Sequence, residues 1–550
     1  ERSRAARTRS ILPHIPSAKS SRVSVPPMVR ALGFRLQFAF FLGAQAIGTG
    51  CGAGEDAEHV DVVILGAGIS GLSAAARLRE LKPDWRIAVL EQADRIGGRL
   101  WDADFGEGWH IELGANWVEG AALSENPIWA IAQEIGLEGR FTEQEGDAVE
   151  PTLYDGSRKV GSAEASALHL RLETALACAR RSALNGGLFK GDASLRSYLT
   201  AAGWPKPEDQ TPLERTLEYF VVDWDFEFGP EDVSAQNYFG GAMRRAASAR
   251  RLGVTAVANK DDKRFFVTDK RGYAAVARHV ASNFTLTNDT AARRTDSNGE
   301  SRGTVPNDPV VYLSHAALSA SWGGEGVCVE TCRGAFSAAK GGIVTFSAGV
   351  LQDQLSSDFY RPPLPEWKRR ALSQAGMGTY TKIFLKYGTK FWTDADYVLY
   401  ADPAKRGFYA VWQDLSRGEV GADSNVLMVT VVNKLSQVAE QRPVNDTVAD
   451  VTAALESMYG AVPLPIDVLV PKWHSDAAFR GSFSNIKIGT TIDDFKQMQA
   501  PLAGGLYFAG EATDYESNGF VEGGYNSGRD VAEALAKAAD HAVRRTPAGL

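Results

Sequence analysis

The chain has 550 residues and a formal charge of −8, from 59 Lys and Arg against 67 Asp and Glu. Its 44% hydrophobic and 23% charged residues exclude a disordered, collagen-like or coiled-coil chain, and it lacks the basic footprint of a nucleic-acid binder. At about 100–200 residues per domain, the length is that of several domain-sized units.

Residues 1–58 read as a leader. From Met28 onward, Arg30 and Arg35 are followed by the apolar run Leu36 to Leu42 and then by small residues as far as Gly50. A basic start, a short apolar core and small residues have the layout of a secretory signal peptide, and the apolar run is too short to span a bilayer. Three Asn-X-Thr triplets, at Asn283, Asn288 and Asn445, fit an exported chain. Four cysteines make no disulfide framework: Cys51 lies in the leader, Cys178 stands alone, and Cys328 and Cys332 read as two half-buried thiols on one strand. No cluster of His and Cys has metal-ligand spacing, so no metal is expected.

The first informative element is Val60 to Leu65, a β-branched run with the pattern of a buried strand. Gly66-Ala67-Gly68-Ile69-Ser70-Gly71 follows, then an Ala- and Leu-rich helix from Leu72 to Leu81, then a second strand, Arg86 to Leu90, ending at Glu91. Each part has a task in holding a dinucleotide. Gly66 permits the tight turn, Gly68 lets a pyrophosphate approach the backbone, and Gly71 lets helix and strand pack closely. The helix N-terminus offers unpaired N–H groups to phosphate, and Glu91 stands where a carboxylate holds ribose hydroxyls. This unit alone leaves NAD and FAD both open.

After Glu91 the chain reads Gln92-Ala93-Asp94-Arg95-Ile96-Gly97-Gly98-Arg99, and near its end Gly505-Leu506-Tyr507-Phe508-Ala509-Gly510-Glu511. These blocks resemble the FAD-dependent amine oxidase family. Glu112 to Gly120, Tyr380 to Tyr387, Pro471 to Asp476 and Arg480 to Asn485 bring the resemblance nearest to the secreted plant-type polyamine oxidases, over about Val60 to Ala536. The resemblance implies FAD held by Gly66, Gly68, Ser70, Gly71, Glu91, Gly98, Arg99, Gly114, Ala115, Trp117, Glu511, Phe520 and Val521. It implies a catalytic set of Lys382 (the residue that holds a water against the flavin), Glu119 and Asp225 as tunnel carboxylates, and the rings of Tyr380, Phe483 and Phe520. Asp225 stands where the family commonly has Glu, with Glu227 nearby as a substitute. Phe520 stands where plant enzymes usually carry Tyr. Carboxylates suit the cationic nitrogens of a polyamine, and ring faces suit both its cations and its methylenes.

The fold expected is α/β, a Rossmann-like FAD domain (59–140, 248–376, 469–540) interleaved with a mixed-sheet-plus-helices substrate domain (141–247, 377–468). Strands Gly407 to Trp412 and Asn425 to Val431 should belong to the latter's sheet, and Asn126-Pro127 should open a helix stopped near Gly136. Arg293 to Pro309 reads as a surface loop. The expected function is oxidation of spermine or spermidine with O2, in a secreted monomer without nucleic-acid partner or membrane span. The alternatives are an L-amino acid or monoamine oxidase, and a flavin-binding protein without activity. No Cys follows Cys332 to attach flavin as monoamine oxidases do.

Overall fold

The computed structural model describes residues 57–545, except 106–108, 122–125, 143–150, 186–188, 190, 241–263, 288–307, 325, 418–419 and 422. The leader lies outside these residues save its last two positions, as do Asn288 and most of the Arg293–Pro309 segment.

The dinucleotide unit forms as its pattern dictates. Strand β1 (Glu58–Leu65) leads through Gly66-Ala67-Gly68 into helix α1 (Ile69–Leu81), and strand β2 (Ile87–Leu90) returns parallel to β1, pairing Val62 with Ile87 and Leu65 with Leu90. Val62 to Leu65 are 0–1% exposed, because a parallel strand covered on both faces has no polar side to present. On the far side of β1 runs the parallel half of the long strand Gly334–Val344, and beyond it the C-terminal strand Leu506–Phe508, also parallel. The strands Ala317–Gly323 and Gly326–Thr331 pair antiparallel at the other end of Gly334–Val344. Segments from both ends of the sequence thus complete one sheet.

Helix α1 and the C-terminal helix Val521–Arg545 cover the same face. Their contact is close where Gly528 meets Ser70: a Cβ at Gly528 would lie 2.1 Å from the Ser70 carbonyl oxygen. Ser73 Oγ donates to the Tyr525 carbonyl at 2.8 Å across the same contact.

A second, largely antiparallel sheet runs in the order Asp467–Leu469, Tyr380–Lys386, Val426–Val432, Val411–Asp414, Tyr397–Ala401, Thr152–Asp155 and Arg158–Lys159. The strand expected from Gly407 starts later, at Val411, because Gly407 and Tyr409 both have positive φ and turn the chain before it. The helix over Pro127–Glu134 is capped by Asn126, whose Oδ1 accepts from the amides of Ile128 and Trp129, and Gly136 at φ 58° follows it.

The cysteine reading needs correction. Cys178 and Cys332 are free and exposed, but Cys328 is disulfide-bonded rather than a half-buried thiol. Among the described residues no group of His, Cys, Asp and Glu could hold a metal, and no helix is long and apolar enough to cross a membrane.

Candidate active site

A cavity of about 1380 Å³ runs from the β1–α1 turn, between the two sheets, to the helix Ser162–Leu184. Of the residues singled out in the sequence, all line it except Gly71 and Glu227.

At one end the local backbone explains the cradle. Gly71 packs against the turn itself: a Cβ there would lie 2.0 Å from the Gly66 carbonyl oxygen, so only glycine permits this approach of helix to strand. Gly68 is different. Its φ of −72° suits any residue, and the nearest protein atom to a Cβ would be Gly98 Cα at 4.0 Å. The protein itself does not need glycine here; space beside Gly68 is left for something else. Ser70 Oγ, at the start of α1, is buried without a hydrogen-bond partner among the described residues. An open face, an orphaned hydroxyl and a helix N-terminus together suit a phosphate group. Glu91 accepts from the Ala67 amide at 2.7 Å and the Ala93 amide at 2.9 Å, which fixes its carboxyl at the end of β2, and burial pushes its pKa up.

Arg99 and Glu511 close the opposite wall. Arg99 Nη1 meets Glu511 Oε1 at 2.7 Å and donates to the Ser482 carbonyl at 2.9 Å. Glu511 Oε2 accepts from the Gly519 amide at 2.9 Å and from Ser484 Oγ. One carboxylate therefore ties the segment after β2 to Ser484 and to the turn that starts the C-terminal helix. Gly519, Phe520 and Val521, at that turn, line the cavity.

Lys382 rises from the second sheet. Its strand pairs Tyr380 with Val432 and Lys382 with Thr430, so the two side chains share a face. Lys382 is 3% exposed, and its Nζ donates to the carbonyls of Gly114 at 2.6 Å and Glu112 at 3.2 Å and to Asn116 Oδ1 at 3.0 Å. An ammonium has three N–H donors, so three protein oxygens engage all of them. To hold a water, Lys382 would release one, and the 3.2 Å contact to Glu112 is the weakest. The Glu112 carboxyl is buried too, and burial raises its pKa to about 7 against the pull of Lys382.

The wall beyond Lys382 is aromatic. Tyr380 and Phe483 lie 6.0 Å apart between ring centroids, Trp224 lies 6.1 Å from Tyr380, and Trp117 sits edge-on to both Trp224 and Phe266. Trp224 and Asp225 are delivered by a helix that widens into a π turn over Tyr219–Asp223. Such turns cluster at functional sites, and apolar periodicity carries no mark of one. The segment is anchored beneath by Glu218, fully buried, which takes Arg196, Arg406 and the Trp204 indole at 2.7 Å.

Glu227 does not substitute for Asp225. It follows the end of this helix at φ 60°, is 1% exposed and turns inward toward Arg99 and Glu511. Burial first, then the Glu511 charge, hold its pKa well above the usual carboxylate range. Asp225 and Glu119 do line the cavity, and the residue that joins them was not expected from the sequence. Arg264, on the strand Arg264–Val267, meets Glu119 Oε2 at 2.7 Å through Nε and Asp225 Oδ1 at 3.5 Å through its terminal nitrogens.

This constellation is that of a flavoenzyme. The family profile for flavin containing amine oxidoreductases matches residues 69–536, and the chain belongs to that family, with FAD as its cofactor. It is 33% identical to polyamine oxidase 6 of Oryza sativa subsp. japonica over 86% of this chain and 90% of that one. It is equally similar, at 33% and the same coverage, to polyamine oxidase 1 of Zea mays. A human peroxisomal N(1)-acetyl-spermine/spermidine oxidase is 28% identical over 86% of this chain and 94% of its own. A putrescine oxidase redesigned at its cofactor site shares the fold, with a TM-score of 0.61 at 19% identity over 88% of this chain and all of that one. So does cyclohexylamine oxidase from Brevibacterium oxydans, with a TM-score of 0.60 at 17% identity over 88% and 99% of the two chains.

Proposed function

We propose that this FAD-dependent amine oxidase acts on polyamines. The observation that carries the reading is a single cavity in which the dinucleotide cradle, the buried Lys382 and a ring-lined extension bearing Glu119 and Asp225 are continuous. Names of the plant relatives, which match over most of their length, support the same substrate class.

The FAD cradle would comprise Gly66, Gly68, Ser70 and Glu91 toward the nucleotide, and Gly98, Arg99, Gly114, Ala115, Trp117, Glu511, Phe520 and Val521 toward the ring system. The chemistry FAD supplies when bound is acceptance of a hydride from the carbon beside an amine nitrogen and passage of two electrons to O2, giving H2O2. The protein's part is position and electrostatics. Tyr380 and Phe483 flank the methylene chain of the substrate, and Glu119 and Asp225 attract nitrogens that remain protonated. The reacting nitrogen enters neutral, so that its lone pair assists the loss of hydride. Lys382 holds a water by exchanging its Glu112 contact. Water then hydrolyses the imine product to an aminoaldehyde and a smaller amine.

The test is the visible spectrum of oxygen-free protein before and after spermine or spermidine. Bleaching by these amines but not by benzylamine or leucine is the expected result. An unchanged flavin spectrum overturns the reading.

Secretion belongs to the same proposal. Asn283 and Asn445 of the acceptor triplets are exposed, as glycan acceptors on an exported chain must be. Glycan on either asparagine of protein recovered from culture medium would support it, and protein found only inside the cell would overturn it.

A further inference from the structure

The carboxylates expected to receive a polycation already hold a cation of the chain itself. Trp117 pairs with Phe266 and Val118 with Phe265, so the next residues in register, Glu119 and Arg264, stand opposite each other on the face that carries Trp117. The Arg264 side chain is 17% exposed and that of Glu119 14%, so their 2.7 Å contact is largely shielded from water. The same guanidinium reaches Asp225. Arginine suits this double task, because its planar fork offers donors in two directions and it stays charged at any ordinary pH.

The consequence is a matter of charge. Two carboxylates and one guanidinium leave a net charge of −1. Farther out, Arg180 and Arg181 line the same cavity from the helix Ser162–Leu184, against Glu173. They add no attraction for a polycation. A free tetra-amine with its reacting nitrogen neutral still brings three ammonium groups, and each one left unmatched in a partly desolvated cavity costs free energy.

We propose that Arg264 is a specificity-determining residue: by occupying Glu119 and Asp225 it competes with the outer ammonium groups of the substrate, so that the cavity selects amines with one outer cation, a diamine or a mono-acylated triamine, over free tetra-amines. This rests on the amine-oxidising role of the cavity proposed above. The substrate's single outer ammonium then shares Asp225, the more exposed of the two carboxylates at 34%, while Arg264 keeps Glu119.

The experiment compares spermine with monoacetylated spermidine, which has one outer cation, in the wild-type holoenzyme and in Arg264→Met, Arg264→Gln and Arg264→Lys. Two quantities are read: KM in air, and the dissociation constant for the reduced, oxygen-free holoenzyme, in which no turnover occurs. The flavin spectrum confirms that each variant is folded and loaded. The wild type should bind the acetylated amine more tightly than spermine. Arg264→Met and Arg264→Gln should lower both constants for spermine by at least about tenfold, and those for the acetylated amine by less than about threefold, as the loss of one competing charge requires. Arg264→Lys should keep the wild-type order.

A wild type that prefers spermine, a ratio that does not move, or parallel weakening of both amines would overturn the proposal; the last is what a merely structural cross-strand pair predicts. If the flavin bleaches but the ratio stays fixed, the inference fails and the oxidase reading stands. If the variants tighten spermine binding but no amine bleaches the flavin, the charge competition stands and the oxidase reading fails. Binding of neither amine to any form removes both.

Discussion

Gly68→Ala separates what the fold needs from what the cofactor needs. At φ −72° and ψ 175° the backbone accepts an L residue, and the added methyl would meet nothing nearer than Gly98 Cα at 4.0 Å. Replacing glycine by alanine at such a compatible position stabilises a protein by about 0.4–1 kcal/mol, through the unfolded chain. The same methyl projects into the space left for the pyrophosphate. Crowding of this kind costs about 1–3 kcal/mol, which corresponds to a roughly 5- to 150-fold weaker FAD affinity. Gly71→Ala should behave in the opposite way. Its Cβ would lie 2.0 Å from the Gly66 carbonyl, so the apoprotein itself should lose stability. The assay is thermal unfolding of apoprotein, followed by titration with FAD monitored by quenching of flavin fluorescence. FAD binding by Gly68→Ala at wild-type affinity would refute the reasoning. So would an apoprotein destabilised by more than about 1 kcal/mol, since the modest gain expected at a compatible site would then have the wrong sign.

Three further outcomes are expected. Burial lifts the Glu112 carboxyl to about 7, so the folded state favours its neutral form. Its contribution to stability is complete below the ordinary carboxylate value of 4.5 and is lost as pH rises through about 7, a loss of about 3 kcal/mol by linkage. Denaturant unfolding at pH 5 and pH 8 should show that loss in the wild type and not in Glu112→Gln, and equal slopes in the two would contradict it. Lys382→Met should retain FAD but slow one flavin half-reaction by at least about tenfold, an effect of about 1.4 kcal/mol on the barrier, and unchanged stopped-flow kinetics would remove the residue from the mechanism. Asp225→Asn should raise the KM for a diamine by about tenfold while leaving FAD affinity unchanged, and an unchanged KM would end its substrate role.

The dinucleotide unit was legible because its constraints are local. A β-branched run, a turn with fixed glycine positions and an Ala-rich helix each depend on a few neighbouring residues, and the elements start within two or three residues of where the pattern puts them. The lining of the cavity by Lys382, Tyr380 and Phe483 followed from alternation along one strand and from the family resemblance. What stayed hidden depends on contacts distant in sequence. Arg264 stands opposite Glu119 because two short strands far apart in the chain pair in one register. Glu227 looked equivalent to Asp225, two residues earlier, until a single left-handed residue at the helix end turned it inward. The π turn that presents Trp224 and Asp225 leaves no trace in apolar spacing, and Cys328 looked like an ordinary strand thiol because pairing cannot be read from spacing when cysteines are so few.

Lys382 joins the second sheet to the chain that follows the dinucleotide unit, as well as serving the cavity. It belongs to the second sheet, yet its three acceptors lie on the Glu112–Asn116 segment that follows the dinucleotide unit. Tyr380 makes a second tie two residues earlier, its amide donating to Ser482 Oγ at 2.7 Å, next to Phe483 and to the Ser484 hydroxyl that binds Glu511. The residues that would face substrate are therefore bonded to the residues that would hold the ring system of FAD. Filling the cradle should stiffen the substrate wall, and substrate analogues should bind more weakly to apoprotein than to holoenzyme. That coupling also separates the two roles of Lys382. If it acts only as a tie between these segments, Lys382→Met weakens analogue binding and slows flavin reduction together. If it holds the water, a flavin half-reaction slows while analogue affinity stays near that of the wild type.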